Sequence, residues 1–250
     1  MDVEDGHAVQ REWAVHVDKP RWQDEADRLA NRSIAAGDPI GWFDELYRAA
    51  DAGEVDVPWD RDEPNPVLVD WVRDRDLTGG GRRALVIGAG LGRDAEFIAG
   101  LGFRTTAFDV SPAAIARARS RYPDSTVDYV VANLLDPPAV WARAFDLVVE
   151  IYTVQAMPRS VRAAATASVA NMVGPNGTLL VVQGRPPTDD VNAPGPPWML
   201  TRAEIEAFAH PVDGRADDRD DAHDALRIAE IAAIESPAGR RWRAEFTRAA

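Results

Sequence analysis

The chain contains no cysteine. That excludes disulfides, thiolate metal sites and a cysteine nucleophile, and it fits a cytoplasmic protein. Histidine is scarce: His7, His16, His210 and His223 are the four present, and none falls in a strand-to-helix loop where a general base is expected. Long apolar runs are also missing. No stretch approaches the roughly 18–20 apolar residues of a bilayer span, so no membrane partner is expected. The opening Met1–Gly6 is acidic and carries neither the basic nor the apolar run of a secretory signal. Positive charge is in short supply, with 28 Lys and Arg against 41 Asp and Glu and a net charge of −13. Such a field repels polyanions, so the expected partner is a small molecule rather than a nucleic acid. Asp189-Asp190 stand side by side, but no second carboxylate cluster is spaced to share a cation, and no metal site is expected.

What is present is enough for a core. The 250 residues are 46% hydrophobic, which suits one large domain or one domain with an added cap. In residues 1–66, Asp24–Ala36 and Pro39–Ala50 carry apolar side chains at helical spacing, with Trp42, Phe43, Leu46 and Tyr47 on one stripe. Pro58, Pro64 and Pro66 then break the pattern around Trp59-Asp60, and a helix over Val67–Arg73 follows Asn65-Pro66. After Gly79-Gly80-Gly81 short apolar runs alternate with helical stretches, the mark of βαβ units on a parallel sheet. The runs are Ala84–Ile87, Thr105–Phe108, Val127–Val131, Phe145–Val149 and Thr178–Val182, the last entered by an Asn176-Gly177 turn. The helices between them are Asp94–Leu101, Pro112–Ser120 and Arg159–Met172. Near the end, Leu226–Ile234 and Arg241–Phe246 are strands joined too tightly for a crossover, so they must be antiparallel. Residues 213–224 read as a solvated acidic loop.

The strongest local signal is Ala84-Leu85-Val86-Ile87-Gly88-Ala89-Gly90-Leu91-Gly92-Arg93-Asp94, a buried strand, three close glycines, then a helix. Glycine permits positive φ and lets a ligand approach the backbone. The next strand ends at Asp109, 21 residues after Gly88, where a carboxylate can accept both hydroxyls of a ribose. A dinucleotide loop would place its third glycine at position 93. That residue is Arg93, the glycine comes one residue early at Gly92, and a long segment precedes the loop. A nicotinamide cofactor is therefore disfavoured.

Over about residues 55–250 these features resemble the class I S-adenosylmethionine (SAM)-dependent methyltransferases, with Val86 where the family often has an acid two residues before the first glycine. The resemblance implies an α/β, Rossmann-like three-layer sandwich: a seven-stranded, mostly parallel sheet with an antiparallel last strand. Residues 1–66 would form an N-terminal helical cap and residues 67–250 the SAM-binding domain. It implies SAM as cofactor and S-adenosylhomocysteine as product. Gly88, Gly90 and Gly92 would line its methionine and ribose, Asp109 would bind the ribose hydroxyls, and Val110 would pack on adenine. Asn133 stands where the family has an aspartate facing the adenine amino group, beside Leu134. Glu150 follows the fourth strand, where the family contacts the cofactor through the main chain.

Trp59-Asp60 ahead of Pro64-Asn65-Pro66, Gly92-Arg93-Asp94-Ala95, and Gly195-Pro196-Pro197-Trp198 before Thr201-Arg202-Ala203-Glu204-Ile205 are similar to segments of the thiopurine S-methyltransferase-like branch. The residues after the fourth strand, Glu150-Ile151-Tyr152-Thr153, lack the Asn/Asp-Pro-Pro-aromatic motif of the DNA and N-methylating branch. Trp42, Tyr47, Tyr152, Gln155 and Trp198 are candidate acceptor-pocket residues, and Trp59 can face the sulfonium through a cation–π contact. Trp42, Phe43 and Tyr47 suit helix-to-sheet packing equally well. The sequence names no catalytic base, which favours an easily ionised nucleophile, a thiol above all. His7 and His16 stay as candidates should the cap fold over the site. The expectation is thus methyl transfer to a small acceptor, as S-methylation first, by a monomer or homodimer. O- or N-methylation and a non-catalytic SAM-binding role are the alternatives.

Overall fold

The computed structural model describes residues 21–57, 59–188, 195–210, 225–237 and 239–250. His7, His16, His223, Asp189-Asp190 and the acidic stretch 213–224 lie outside the described residues. Seven strands form one sheet in the order β3-β2-β1-β4-β5-β7-β6. They are β1 (Arg83–Ile87), β2 (Arg104–Asp109), β3 (Asp128–Val131), β4 (Phe145–Ile151), β5 (Val173–Gly184), β6 (Arg227–Ser236) and β7 (Gly239–Thr247). The first five run parallel, whereas β7 pairs antiparallel with both β5 and β6. This is the expected class and architecture, with the hairpin at the sheet's edge.

The pleat sends alternate residues of β1 to opposite faces, each covered by its own apolar layer. Ala84 and Val86 meet α3 (Pro66–Arg73), α4 (Arg93–Gly100) and α5 (Pro112–Arg121) through Leu68, Ile98 and Ile115. Leu85 and Ile87 face α6 (Arg159–Met172) and the segment from α7 (Arg202–Glu206) to Ala209, through Val169, Ile205 and Phe208. Local chemistry sets the helix starts. Asn65 Oδ1 accepts from Val67 N at 2.9 Å ahead of Pro66, Ser111 Oγ accepts from Ala114 N at 3.1 Å ahead of Pro112, and Thr201 and Glu204 form a reciprocal capping box.

Most boundaries shift by a residue or a few from the sequence expectation, and two of the shifts have a clear local cause. The second helix starts at Trp42 rather than Pro39, because Asp38 Oδ1 takes the N–H groups of Ile40 and Gly41 and holds a turn there. The fifth strand starts at Val173, directly after α6. Register passes from Phe145↔Val173 to Leu147↔Thr178, so the Asn176-Gly177 turn is a bulge inside the strand, with Asn176 at φ 58°.

The N-terminal helices α1 (Arg21–Ala35) and α2 (Trp42–Asp51) pack on each other through Ala26, Leu29, Trp42 and Leu46. Polar links clip α2 and the segment after it to α5. Asp44 Oδ1 accepts from Ser111 Oγ at 2.7 Å, Asp51 pairs with Arg117 at 2.7 Å, and Asp60 pairs with Arg121 at 2.9 Å. On the opposite side, α1 reaches the loop after β5, where Gln23 Nε2 donates to the Pro196 carbonyl at 2.6 Å. The two helices thus bridge from α5 to the loop after β5. Among the described residues, no helix is long and apolar enough to cross a membrane.

Candidate cofactor and acceptor site

A cavity of about 350 Å³ lies under that bridge, with Gly88 and Gly90 after β1, Asp109 at the end of β2, and Tyr152 and Thr153 after β4 in its wall. Gly88 has φ +64°, and a Cβ there would run into Thr153 Oγ1, whose hydroxyl donates to the Ile87 carbonyl at 3.2 Å. The loop therefore needs glycine both for its turn and for its contact with the β4 end.

Asp109 is 8% exposed. Its Oδ2 accepts from Gly90 N at 3.0 Å and its Oδ1 from Ser111 N at 2.9 Å. Burial raises the carboxyl's pKa, and backbone N–H groups of Ser111, Gly90 and Val110 pull it back. Each oxygen keeps a lone pair for a donor in the cavity.

Above the loop, Trp59 Nε1 donates to Tyr47 Oη at 2.5 Å, with the two rings edge to face. A Cβ on Gly90 would stand 3.1 Å from that phenol oxygen. Tyr47 is buried, which pushes its hydroxyl well above the ordinary phenol range and keeps it protonated. Asn133 lies in the wall beside Leu134 and Val110, and its Oδ1 already accepts from Leu135 N at 2.8 Å.

Of the residues expected for the cofactor, Gly88, Gly90, Asp109, Val110, Asn133, Leu134 and Trp59 come together in the wall. Gly92 and Glu150 do not. Gly92, at φ +89°, begins α4, and a Cβ there would collide with Tyr129 Oη. Glu150 is 0% exposed and lies behind the wall. Its Oε1 accepts from Thr153 N at 2.9 Å and Val154 N at 3.0 Å, and its Oε2 accepts from Gln183 Nε2. Burial pushes this carboxyl up to about 7 despite those donors. Glu150 thereby holds the turn that carries Tyr152, Thr153 and Gln155.

Of the acceptor candidates, Trp42, Tyr47, Tyr152 and Gln155 line the cavity. Trp42 is also a core residue, stacked on Phe43 with centroids 4.0 Å apart, so the packing and pocket readings both hold for it. Gln155 Oε1 is engaged by Gly184 N at 2.5 Å. Trp198 is not in the wall; Pro196 and Pro197 of its motif are. The Trp198 backbone ties the loop down, its N–H donating to Gln155 O at 2.8 Å and its carbonyl accepting from Arg162 at 2.8 Å.

Sequence reasoning passed over Ala26, Ile40 and Met157, and also Arg61, Asn65 and Asp94, all of which line the cavity. The first three carry no chemical signature. Asn65 showed only its helix-start signal. Among the described residues no cluster of three or more His, Asp or Glu is placed to hold a metal ion.

Comparison with known proteins bears on the identity of the site. Residues 84–177, which contain the glycine loop, Asp109, Asn133 and Glu150, match the family model described as a methyltransferase domain. Thiocyanate methyltransferase 1 of Arabidopsis thaliana is 28% identical over 162 residues, 64% of this chain and 69% of that enzyme. Residues 84–177 thus carry a methyltransferase domain, consistent with a SAM-dependent methyltransferase. The ubiquinone biosynthesis O-methyltransferase of Xanthomonas campestris pv. campestris is 33% identical to the present enzyme over 132 residues. That match takes in 49% of this chain and 54%, about half, of the relative. Solved structures agree in fold. The N-methyltransferase NodS of Bradyrhizobium japonicum WM9, in complex with S-adenosylhomocysteine, superposes with a TM-score of 0.59 at 20% identity, covering 81% of this chain and 97% of that one. A protein solved in a study of the conversion of a disulfide bond into a thioacetal group during echinomycin biosynthesis gives a TM-score of 0.62 at 20% identity, covering 83% and 92%.

Proposed function

We propose that this methyltransferase moves the methyl group of SAM to a small, largely apolar acceptor with a soft nucleophile, a thiol first, and that it belongs to the thiopurine S-methyltransferase-like branch. The observation that carries the reading is the apolar part of the lining, Ala26, Ile40, Phe43, Met157 and Pro196. The same wall also holds Arg61, Glu63, Arg93, Asp94 and Asp109, but among the described residues no histidine joins them. An acceptor against that apolar surface meets no imidazole base. A phenol or alcohol needs its proton removed by a group in reach, whereas a thiol of pKa about 8.5 is partly ionised near neutrality and needs none. The names of the Arabidopsis relative and of the echinomycin-related neighbour are consistent with sulfur chemistry. The Xanthomonas relative and NodS are the precedents for the O- and N- alternatives.

The residues of the wall fit SAM. When bound, SAM supplies an already activated methyl on a sulfonium. Asp109 accepts the ribose hydroxyls with the lone pairs its backbone donors leave free, and the open Gly88 and Gly90 backbone admits the chain beyond the ribose. Val110 and Leu134 pack on adenine, with the second lone pair of Asn133 Oδ1 left for the amino group. Trp59, fixed by Tyr47, presents its ring to the cationic sulfur. Residues 1–66 act as the cap that keeps this chemistry dry, and the chain's own part is position and exclusion of water.

The test is release of S-adenosylhomocysteine from SAM with a panel of apolar thiols, phenols and amines. Turnover on thiols is expected, rising with pH until the acceptor's own thiol is ionised. Turnover on phenols or amines with none on thiols overturns the S-methyl reading. S-adenosylhomocysteine binding without turnover on the whole panel favours the non-catalytic one.

A further inference from the structure

Gln155 sits in the single 3-10 turn Val154–Ala156 that follows β4, and it is held there from two sides. Its main-chain carbonyl accepts from Trp198 N at 2.8 Å, and its side-chain Oε1 accepts from Gly184 N at 2.5 Å. An N–H can meet only the oxygen of an amide, so the second bond decides which way this amide faces. A Cβ on Gly184 would stand 2.9 Å from that oxygen and 3.1 Å from Met199 Cγ, so the glycine that ends β5 makes the room. With the oxygen fixed, the nitrogen is fixed too. Gln155 is 9% exposed and lines the cavity, yet its Nε2 donates to nothing among the described residues. Asn65 Nδ2, also without a partner, is sealed off; Gln155 Nε2 is not. Such a donor is solvated while water fills the cavity, and it selects for a matching acceptor atom once a ligand displaces that water.

The surroundings define that atom. Ala156 and Met157, the next residues along, also line the cavity. Ala156 packs on the Ala26, Trp42 and Leu46 cluster, and Met157 lies in the core with Ile40 and Val154. Pro196 and Pro197, just ahead of Trp198, belong to the same wall. Neither Val154–Met157 nor Pro196–Leu200 contains an ionisable side chain. Arg162 reaches the carbonyls of Met157 and Trp198, but it is buried and its charge is neutralised by Glu204 at 2.6 Å. A neutral donor on apolar segments matches a neutral acceptor atom, because an anion would lose its hydration there without a counter-charge from these segments.

We propose that Gln155 is the acceptor-recognition residue of this protein. The acceptor then carries, beside its nucleophile, a neutral carbonyl oxygen or aromatic ring nitrogen that takes a hydrogen bond from Gln155 Nε2. The assignment rests on the small-acceptor reading above and deepens it, and it holds whether sulfur, oxygen or nitrogen is methylated. Apolar contact alone separates similar acceptors weakly, whereas an unmet donor penalises every molecule that lacks the matching atom. The Gly184 and Trp198 bonds hold the amide in place beforehand, so little side-chain freedom is lost on binding.

Acetyl- and isopropyl-substituted thiophenols, phenols and anilines test it, since the two substituents share a shape and only the first has an acceptor oxygen. Gln155→Glu keeps an oxygen for Gly184 N and replaces the donor with a second oxygen. Gln155→Met removes the amide without adding charge. S-adenosylhomocysteine release, read as kcat/KM, gives an acetyl-to-isopropyl quotient for each protein, and comparing quotients between proteins cancels the effect of the substituent on the nucleophile. The quotient should be about tenfold to a hundredfold larger in wild type than in either variant. Equal quotients in all three proteins overturn the assignment even if activity falls, because a merely structural role would weaken both members alike. A larger wild-type quotient on phenols or anilines, with thiols inert, overturns the S-methyl reading and supports the Gln155 assignment. If nothing turns over, calorimetric binding of the same pairs to protein saturated with S-adenosylhomocysteine reads the quotient, and no preference there overturns the assignment as well.

Discussion

Replacing Asp109 by alanine separates what this carboxylate does for the ligand from what it does for the fold. In the cavity its two oxygens are free to accept two ribose hydroxyls, and a hydrogen bond to a charged group contributes about 1.5–3 kcal/mol. Two at the low end total about 3 kcal/mol, or a loss of about a hundredfold in affinity. The carboxylate also accepts from Gly90 N and Ser111 N. Removing it strands those donors at about 1–3 kcal/mol each unless water enters. The variant should therefore melt earlier than wild type and bind S-adenosylhomocysteine about a hundredfold more weakly. Titration calorimetry reads the affinity and a denaturant series the stability. Adenine bound as the free base, which has no ribose, should lose nothing. The reasoning is refuted if Asp109→Ala is destabilised by the expected amount yet binds S-adenosylhomocysteine with unchanged affinity, because the carboxylate would then serve the loop alone.

Glu150 provides a pH-dependence whose sign follows from its burial. Its folded pKa stands at about 7 against 4.5 for the free group. The native state therefore holds a proton that the unfolded chain releases. Stability from this site is complete below about pH 4.5 and is lost as pH rises through about 7, a change of roughly 3 kcal/mol. Glu150→Gln keeps an oxygen for Thr153 N and Val154 N and, with the Gln183 amide turned over, offers an N–H to Gln183 Oε1, which is buried without a partner among the described residues. Urea midpoints at pH 5 and pH 8 should diverge in wild type and not in the variant; parallel curves would sink the argument. Gly92→Ala, with φ +89° and Tyr129 Oη in the way of a Cβ, should destabilise by about 2 kcal/mol or more. Adding Tyr129→Phe should recover part of that loss by removing the colliding oxygen, and a double mutant no better than the single would show that backbone strain alone is at work.

The alternation of short apolar runs with helical stretches made the sheet and its helices legible, and the tight 236–239 connection made the edge hairpin so. The glycine loop and Asp109 were legible for the same reason. They lie in one strand–loop–helix–strand run, so their pattern can be read along the chain. Glu150 and Trp198 were harder to place. A carboxylate after a strand and a tryptophan in a proline-rich loop look like site residues, but the side chain of Glu150 turns back onto Thr153, Val154 and Gln183, and the Trp198 backbone onto Gln155 and Arg162. Gly92 belonged to the motif by spacing, yet its missing side chain makes room for Tyr129, 37 residues later.

Hydrophobic periodicity, turn chemistry and one strand–glycine–helix–strand–acid run are properties of neighbouring residues, so the sequence by itself determined the fold class and the place of the loop. The apolar part of the cavity lining unites Ala26, Ile40, Phe43, Met157 and Pro196 from four separate segments, and the open Gln155 amide depends on Gly184 at the end of β5. Only the tertiary structure decided these, because burial and an unmet hydrogen bond are properties of what surrounds a residue.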